Sequence, residues 1–162
     1  MSSSVSEHAV QTLEVKKDIV VAAPIEIVFE TILEQMGPYN EGAPGTGPMP
    51  MKLEPWPGGR WFRDLGNNAG HLWGHVQSLK PPTLLEIHGP LFMSSPAISH
   101  VQYRLTPEGG ATRIKFSHRA IGQIAPEHAD GSRVDIGWTS LLSRISSNAE
   151  KKTTRQKAKE TK

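Results

Sequence analysis

Seven histidines and no cysteine set the chemistry this chain can attempt. Imidazole can ligate a metal or carry a proton near neutrality, whereas thiolate nucleophiles, Cys-ligated metals and disulfides are excluded. His71 and His75 lie four residues apart. On an extended strand their Cβ atoms would stand roughly 13 Å apart at about 3.3 Å per residue, too far for one zinc ion with bonds of about 2.0–2.1 Å. Cross-strand partners such as His88, His100 or His118, with Asp64 or Glu86, would be needed, and neither an H-x-H nor an H-E-x-x-H spacing occurs. No metal and no cofactor is expected. Nor does the sequence hold a G-x-S-x-G elbow or a glycine-rich phosphate loop that opens a helix. An acid–base set can be assembled from His118 as base, Tyr103 as donor, and Arg60 or Asp64 near a cavity mouth. The simpler assignment has His118 capping a strand end and Tyr103 filling the core with its hydroxyl satisfied. On that assignment no residue is catalytic.

These side chains need strands to hold them. Leu13, Val15, Ile19 and Val21 recur at even spacing and predict a strand over Leu13–Ala22. Pro24 opens a helix whose buried stripe is Ile25, Val28, Phe29, Ile32 and Met36, ended by Gly37-Pro38. A Gly- and Pro-rich loop follows to Pro50, long enough to serve as a lid or binding loop. Six short strands are then predicted: Met51–Glu54, Gly59–Asp64, His71–Leu79, Leu84–His88, Ile98–Thr106 and Thr112–His118. Turn residues separate them and no helix intervenes, which implies an antiparallel meander. Val134, Trp138, Leu141, Leu142 and Ile145 form one apolar face of a last helix over about Pro126–Asn148, continuous from near Ser132. Gly131 and Gly137 weaken that helix, and a glycine facing a sheet would permit close backbone approach.

The expectation is therefore an α+β fold: a curved seven-stranded antiparallel sheet wrapped around a long C-terminal helix, with a second helix near the N-terminus. Residues 1–12 are expected to be a flexible lead-in, 13–148 the domain, and 149–162 a basic flexible tail. Lys151–Lys162 carries a net charge of +5, which leaves the rest of the chain at −3 despite an overall +2. That distribution argues against a nucleic-acid partner. No apolar run approaches the roughly 20 residues that span a bilayer, and the first residues lack a signal-peptide block. A cytoplasmic setting is expected, consistent with the absence of cysteine.

Five motifs in order carry a family resemblance. They are V-x-A-P-I-E-I-V-F-E at Val21–Glu30, P-G-G-R-W-F at Pro57–Phe62, W-G-H-V-x-x-L-x-P-P at Trp73–Pro82, G-G-A-T-R-I-K-F-S-H-R at Gly109–Arg119 and G-W-T-S-L-L-S-R-I at Gly137–Ile145. Together they resemble the START-like (SRPBCC, helix-grip) superfamily over about Leu13–Ser147. The branch they resemble most is the one named after the activator of heat-shock protein 90 ATPase. The resemblance implies a cavity between sheet and C-terminal helix, in a superfamily whose members bind lipids, polyketides, hormones or antibiotics and sometimes act as cyclases or hydrolases. It also implies a chaperone or other protein as a conceivable partner.

Strand alternation nominates the side chains that face such a cavity. Ile114, Phe116 and His118 share one face, as do Val101, Tyr103 and Leu105. On His71–Gln77 the inward face is either His71, Trp73 and His75 or Leu72 and Val76. The expected ligand-binding set is Trp73, His75, Tyr103, Phe116, His118, Trp138, Leu141 and Leu142, with the aromatic and aliphatic members as walls and Tyr103 or His118 as polar handles. Trp56, Phe62 and Phe92 are either rim aromatics or packed ones. The expected function is binding of a small hydrophobic molecule. An enzyme acting on a hydrophobic substrate in the same cavity and a co-chaperone-like interaction module are the alternatives.

Overall fold

The computed structural model describes residues 9–161. Strand β1 (Gln11–Val21) is followed by helix α1 (Ile25–Gln35), then β2 (Lys52–Leu53), β3 (Arg60–Gly66), β4 (Ala69–Lys80), β5 (Leu84–Gly89), β6 (Ala97–Glu108) and β7 (Ala111–Gly122). Helix α2 (Ser132–Glu160) closes the chain. The strands form one seven-stranded sheet in the order β1-β7-β6-β5-β4-β3-β2, with every pair antiparallel. This is a meander in which β1 returns to the outer edge of β7. The α+β helix-grip arrangement is the one the strand spacing and the family resemblance predict.

Alternation builds the concave face. On β6 the buried positions are Ala97, Ser99, Val101, Tyr103 and Leu105; on β7 they are Thr112, Ile114, Phe116, His118 and Ala120. Register sets Val101 opposite His118, Tyr103 opposite Phe116 and Leu105 opposite Ile114. The hairpin between these strands turns at Gly109 and Gly110, with φ of 56° and 87°, the left-handed geometry that tight hairpins require. Against this face lies the stripe Val134, Trp138, Leu141, Leu142, Ile145 and Ala149 of α2, while α1 packs on α2 and buries its own Val28, Phe29 and Ile32.

Two expected boundaries shift. Residues 1–8 of the expected lead-in lie outside the described residues, and Gln11 and Thr12 already belong to β1. The segment expected to be a flexible tail after residue 148 continues α2 as helix to Glu160. Ala149 and Thr153 are buried, and Lys152 Nζ donates to Glu34 Oε2 at 2.6 Å and Thr31 Oγ1 at 3.2 Å. The composition of this segment conceals the docking because its buried side chains are small and its longest-range contact is an ion pair. No helix among the described residues is long and apolar enough to cross a membrane.

Candidate functional site

The far end of the grip is solid. The Trp138, Phe116 and Tyr103 rings run in sequence, with centroid separations of 4.7 Å and 4.9 Å. Tyr103 is wholly buried, and its hydroxyl donates to Met36 Sδ at 3.4 Å. Burial alone raises its pKa above the ordinary phenol value. His118 is fully buried too. Trp138 Nε1 donates to His118 Nδ1 at 2.9 Å, which makes Nδ1 an acceptor and leaves the ring proton on Nε2, which donates to Ser99 Oγ at 2.8 Å. Loss of water pushes the imidazole pKa down to about 4. Both ring nitrogens are engaged with protein, so His118 has none to offer a substrate. Its place is within β7, not at a strand end.

The near end is hollow. A cleft of about 400 Å³ opens between β3, β4, the first half of α2 and the loop of residues 37–51. Its walls are indoles and thioethers: Trp61, Trp73 and Trp138, with Met49 and Met51 from the loop. Val134 and Leu141 of α2 and the half-exposed Phe92 complete the apolar lining. The polar lining comprises Asn40, His128, Arg133, Ser140 and Arg144.

Local sequence explains why these groups converge. Trp61 Nε1 donates to the Met36 carbonyl at 2.8 Å, which fixes β3 to the end of α1, and the ring meets Trp73 edge-on at 5.1 Å. Trp73 itself reaches the interior through a register shift between Trp61 and Phe62, which gives β4 one extra residue. Beside it, Gly74 and Gly89 let β4 and β5 approach closely: a Cβ on Gly74 would lie 2.6 Å from the His88 carbonyl oxygen. The loop is tethered by the buried Asn40, whose Nδ2 donates to Gln35 O at 2.7 Å and whose Oδ1 accepts from Gly42 N at 2.8 Å. Asn148 of α2 donates to Glu41 Oε1 at 3.0 Å from the other side. Gly137 also lines the cleft, and a Cβ placed there would meet nothing within 4 Å. It leaves space in the cleft; it does not allow the close approach to the sheet anticipated from its sequence position.

Of the eight residues nominated for ligand contact, Trp73, Trp138 and Leu141 share this cleft. Tyr103, Phe116 and His118 are packed behind it. Leu142 points to the β1 side, near a shallow groove with Lys17 and Ile19. His75 is on the outer face of the sheet, paired in register with Arg60 and His88 and 6.2 Å from the His88 ring. The either-or choice on β4 is answered by neither option, since Trp73 and Val76 are both buried while Leu72 is exposed. Arg60 and Asp64 are likewise outside, in ion pairs with Glu54 at 2.8 Å and Lys52 at 3.0 Å.

Trp61, Met49, Met51 and Arg144 were not nominated. Arg144 had a legible signal: Gly137, Leu141 and Arg144 follow a 4,3 spacing on one side of α2, so a cation interrupts an apolar stripe. Among the described residues no group of three or more His, Asp or Glu side chains could hold a metal ion.

Residues 22–150 match the family model described as Activator of Hsp90 ATPase homolog 1-like protein. No curated protein matches the chain. Solved structures share the fold at low identity. An uncharacterised protein from Rhizobium leguminosarum is 16% identical with a TM-score of 0.66, covering 89% of this chain and 98% of that one. CalU16 from Micromonospora echinospora is 20% identical with a TM-score of 0.60, covering 91% and 88%. DynU16, from the dynemicin biosynthetic locus, is 17% identical with a TM-score of 0.58, covering 86% of this chain and 48% of that one.

Proposed function

The chain belongs to the Activator of Hsp90 ATPase homolog 1-like family, and from the shape of its open end we propose that it binds a small apolar molecule in the cleft beneath the loop of residues 37–51. One observation carries this reading: three of the four tryptophans converge on a cleft of about 400 Å³ that the surrounding core leaves unfilled. Ligand sites are commonly concave and apolar, of roughly 300–1,000 Å³, with a few polar groups that fix orientation. Indole faces and thioethers suit a flat or irregular apolar body, because both are polarisable and methionine adapts its shape. The ligand-holding set is Trp61, Trp73, Trp138, Leu141, Met49 and Met51. Tyr103, Phe116 and His118 act one layer behind, holding Trp138 in place.

The neutral fluorophore N-phenyl-1-naphthylamine tests the proposal directly. Its emission should rise on addition of the protein, saturate at one molecule per chain, and fail to rise with Gly137→Phe, which places a ring in the cleft. Native mass spectrometry of freshly purified protein should show a co-purifying small molecule. No fluorescence enhancement together with a bare protein mass would remove the cleft from consideration as a binding site.

A further inference from the structure

If the cleft is a binding site, its charge assigns a class to the occupant. Arg133 and Arg144 line it, and no Asp or Glu does. Neither arginine takes part in any ion pair among the described residues. Asp135, the acid nearest Arg133 in sequence, pairs with Lys17 at 2.9 Å. Asp130, which feels the Arg133 charge, accepts through Oδ1 from the backbone and hydroxyl of Ser132. Arg144 is half-buried, three residues beyond Leu141. It donates through Nη1 to Ser140 Oγ, while its Nε–H is buried with no acceptor. Glu41 is close enough to favour the charged guanidinium, yet its Oε1 accepts from Asn148. Desolvation outweighs that help and lowers the Arg144 pKa from its ordinary value, although a guanidinium remains charged at neutral pH. His128, also in the lining, keeps Nδ1 buried and unpartnered.

A partly desolvated cation with unused donors beside indole rings is costly unless an acceptor arrives. A carboxylate is the matching group, because the planar guanidinium offers it paired N–H donors. We infer that the cleft takes an amphipathic anion, its aromatic or alicyclic body held against Trp61, Trp73 and Trp138 and its single acidic head on Arg144. This deepens the apolar-ligand reading and rests on it. It also divides the work between the two kinds of lining: the indoles supply most of the affinity and Arg144 selects the acid.

The experiment compares 1-naphthaleneacetate with neutral 1-naphthaleneacetamide, each titrated calorimetrically into the full chain. The acetate should bind at least about tenfold more tightly, the size expected for a hydrogen bond to a charged group. Arg144→Gln should erase that preference by weakening the binding of the acetate. Equal affinities for acid and amide in the unaltered protein would overturn the assignment and leave the apolar cleft standing. A preference that survives Arg144→Gln would overturn it as well. Binding of neither compound, with no fluorophore binding, would remove both readings. A wild-type measurement covers the case in which the variant fails to fold: one arginine Nε–H resonance should shift with the acetate and not with the amide. No shifted resonance would be a refutation.

Discussion

The two ends of the grip are built from the same sheet and helix, yet one is filled and the other is not. At the filled end, β6 and β7 alternate without interruption, so Tyr103, Phe116 and His118 fall on the concave face, where Phe116 and His118 meet Trp138 and Tyr103 packs behind Phe116. At the open end, β3 and β4 carry register shifts, and the cover is a loop whose Gly42, Gly45 and Gly47 contribute no side chain. Regular pairing delivers large side chains to one place at fixed intervals. Irregular pairing under a glycine-rich cover leaves a gap, and in this molecule the gap has indole walls. Stability is therefore expected to concentrate at the filled end and binding at the open one.

Truncation should separate the ends most sharply. Phe116→Ala removes a ring from between Tyr103 and Trp138 and should lower unfolding free energy by about 3–5 kcal/mol. Leu141→Ala, at the cleft wall, should cost nearer 2 kcal/mol because solvent can already enter beside it. Denaturant titration of both variants measures the difference, and equal losses would break the contrast.

Acid should act on the filled end through His118. In the folded state the His118 pKa is about 4, below the ordinary value of 6.5. The unfolded chain therefore takes up the proton first as pH falls. The contribution of His118 is complete above about pH 6.5, declines between there and about pH 4, and amounts to roughly 3 kcal/mol when lost. His118→Gln, which can still accept from Trp138 and donate to Ser99, should flatten this part of the stability profile in urea melts taken from pH 7 to 4. Below pH 6.5 an unchanged slope in the variant would mean that other groups carry the dependence.

The smallest expected effect concerns Gly137. Replacing it with Ala inside α2 should raise stability by about 1 kcal/mol, since the new methyl meets open space and the helix gains propensity. Fluorophore affinity should change little. A destabilised Gly137→Ala would show that the space beside α2 is not free.

Much of the filled end was legible because periodicity is its cause. Even spacing placed Tyr103, Phe116 and His118 on one face, and the stripe of α2 placed Trp138 beside them. The open end resisted because its determinants are departures from period. The single extra residue on β4 brings Trp73 inside with Val76 and leaves His75 outside, which strict alternation cannot anticipate. Trp61 is drawn inward by a hydrogen bond to a carbonyl 25 positions earlier, a contact with no local signature. The last turns of α2 were hidden differently: Ala149 and Thr153 are too small to register as an apolar stripe, and Lys152 reads as a solvated charge until Glu34 is set beside it.

The placement of the tryptophans has an optical consequence. Trp61, Trp73 and Trp138 border the cleft, and only Trp56, 54% exposed, stands apart. The ultraviolet emission of the protein should then be weighted to this one locus, with blue-shifted light from the buried trio and a red, readily quenched component from Trp56. Acrylamide would silence the latter first. What remains is a built-in photometer for the interior, able to register an arriving molecule by quenching or energy transfer without any attached dye.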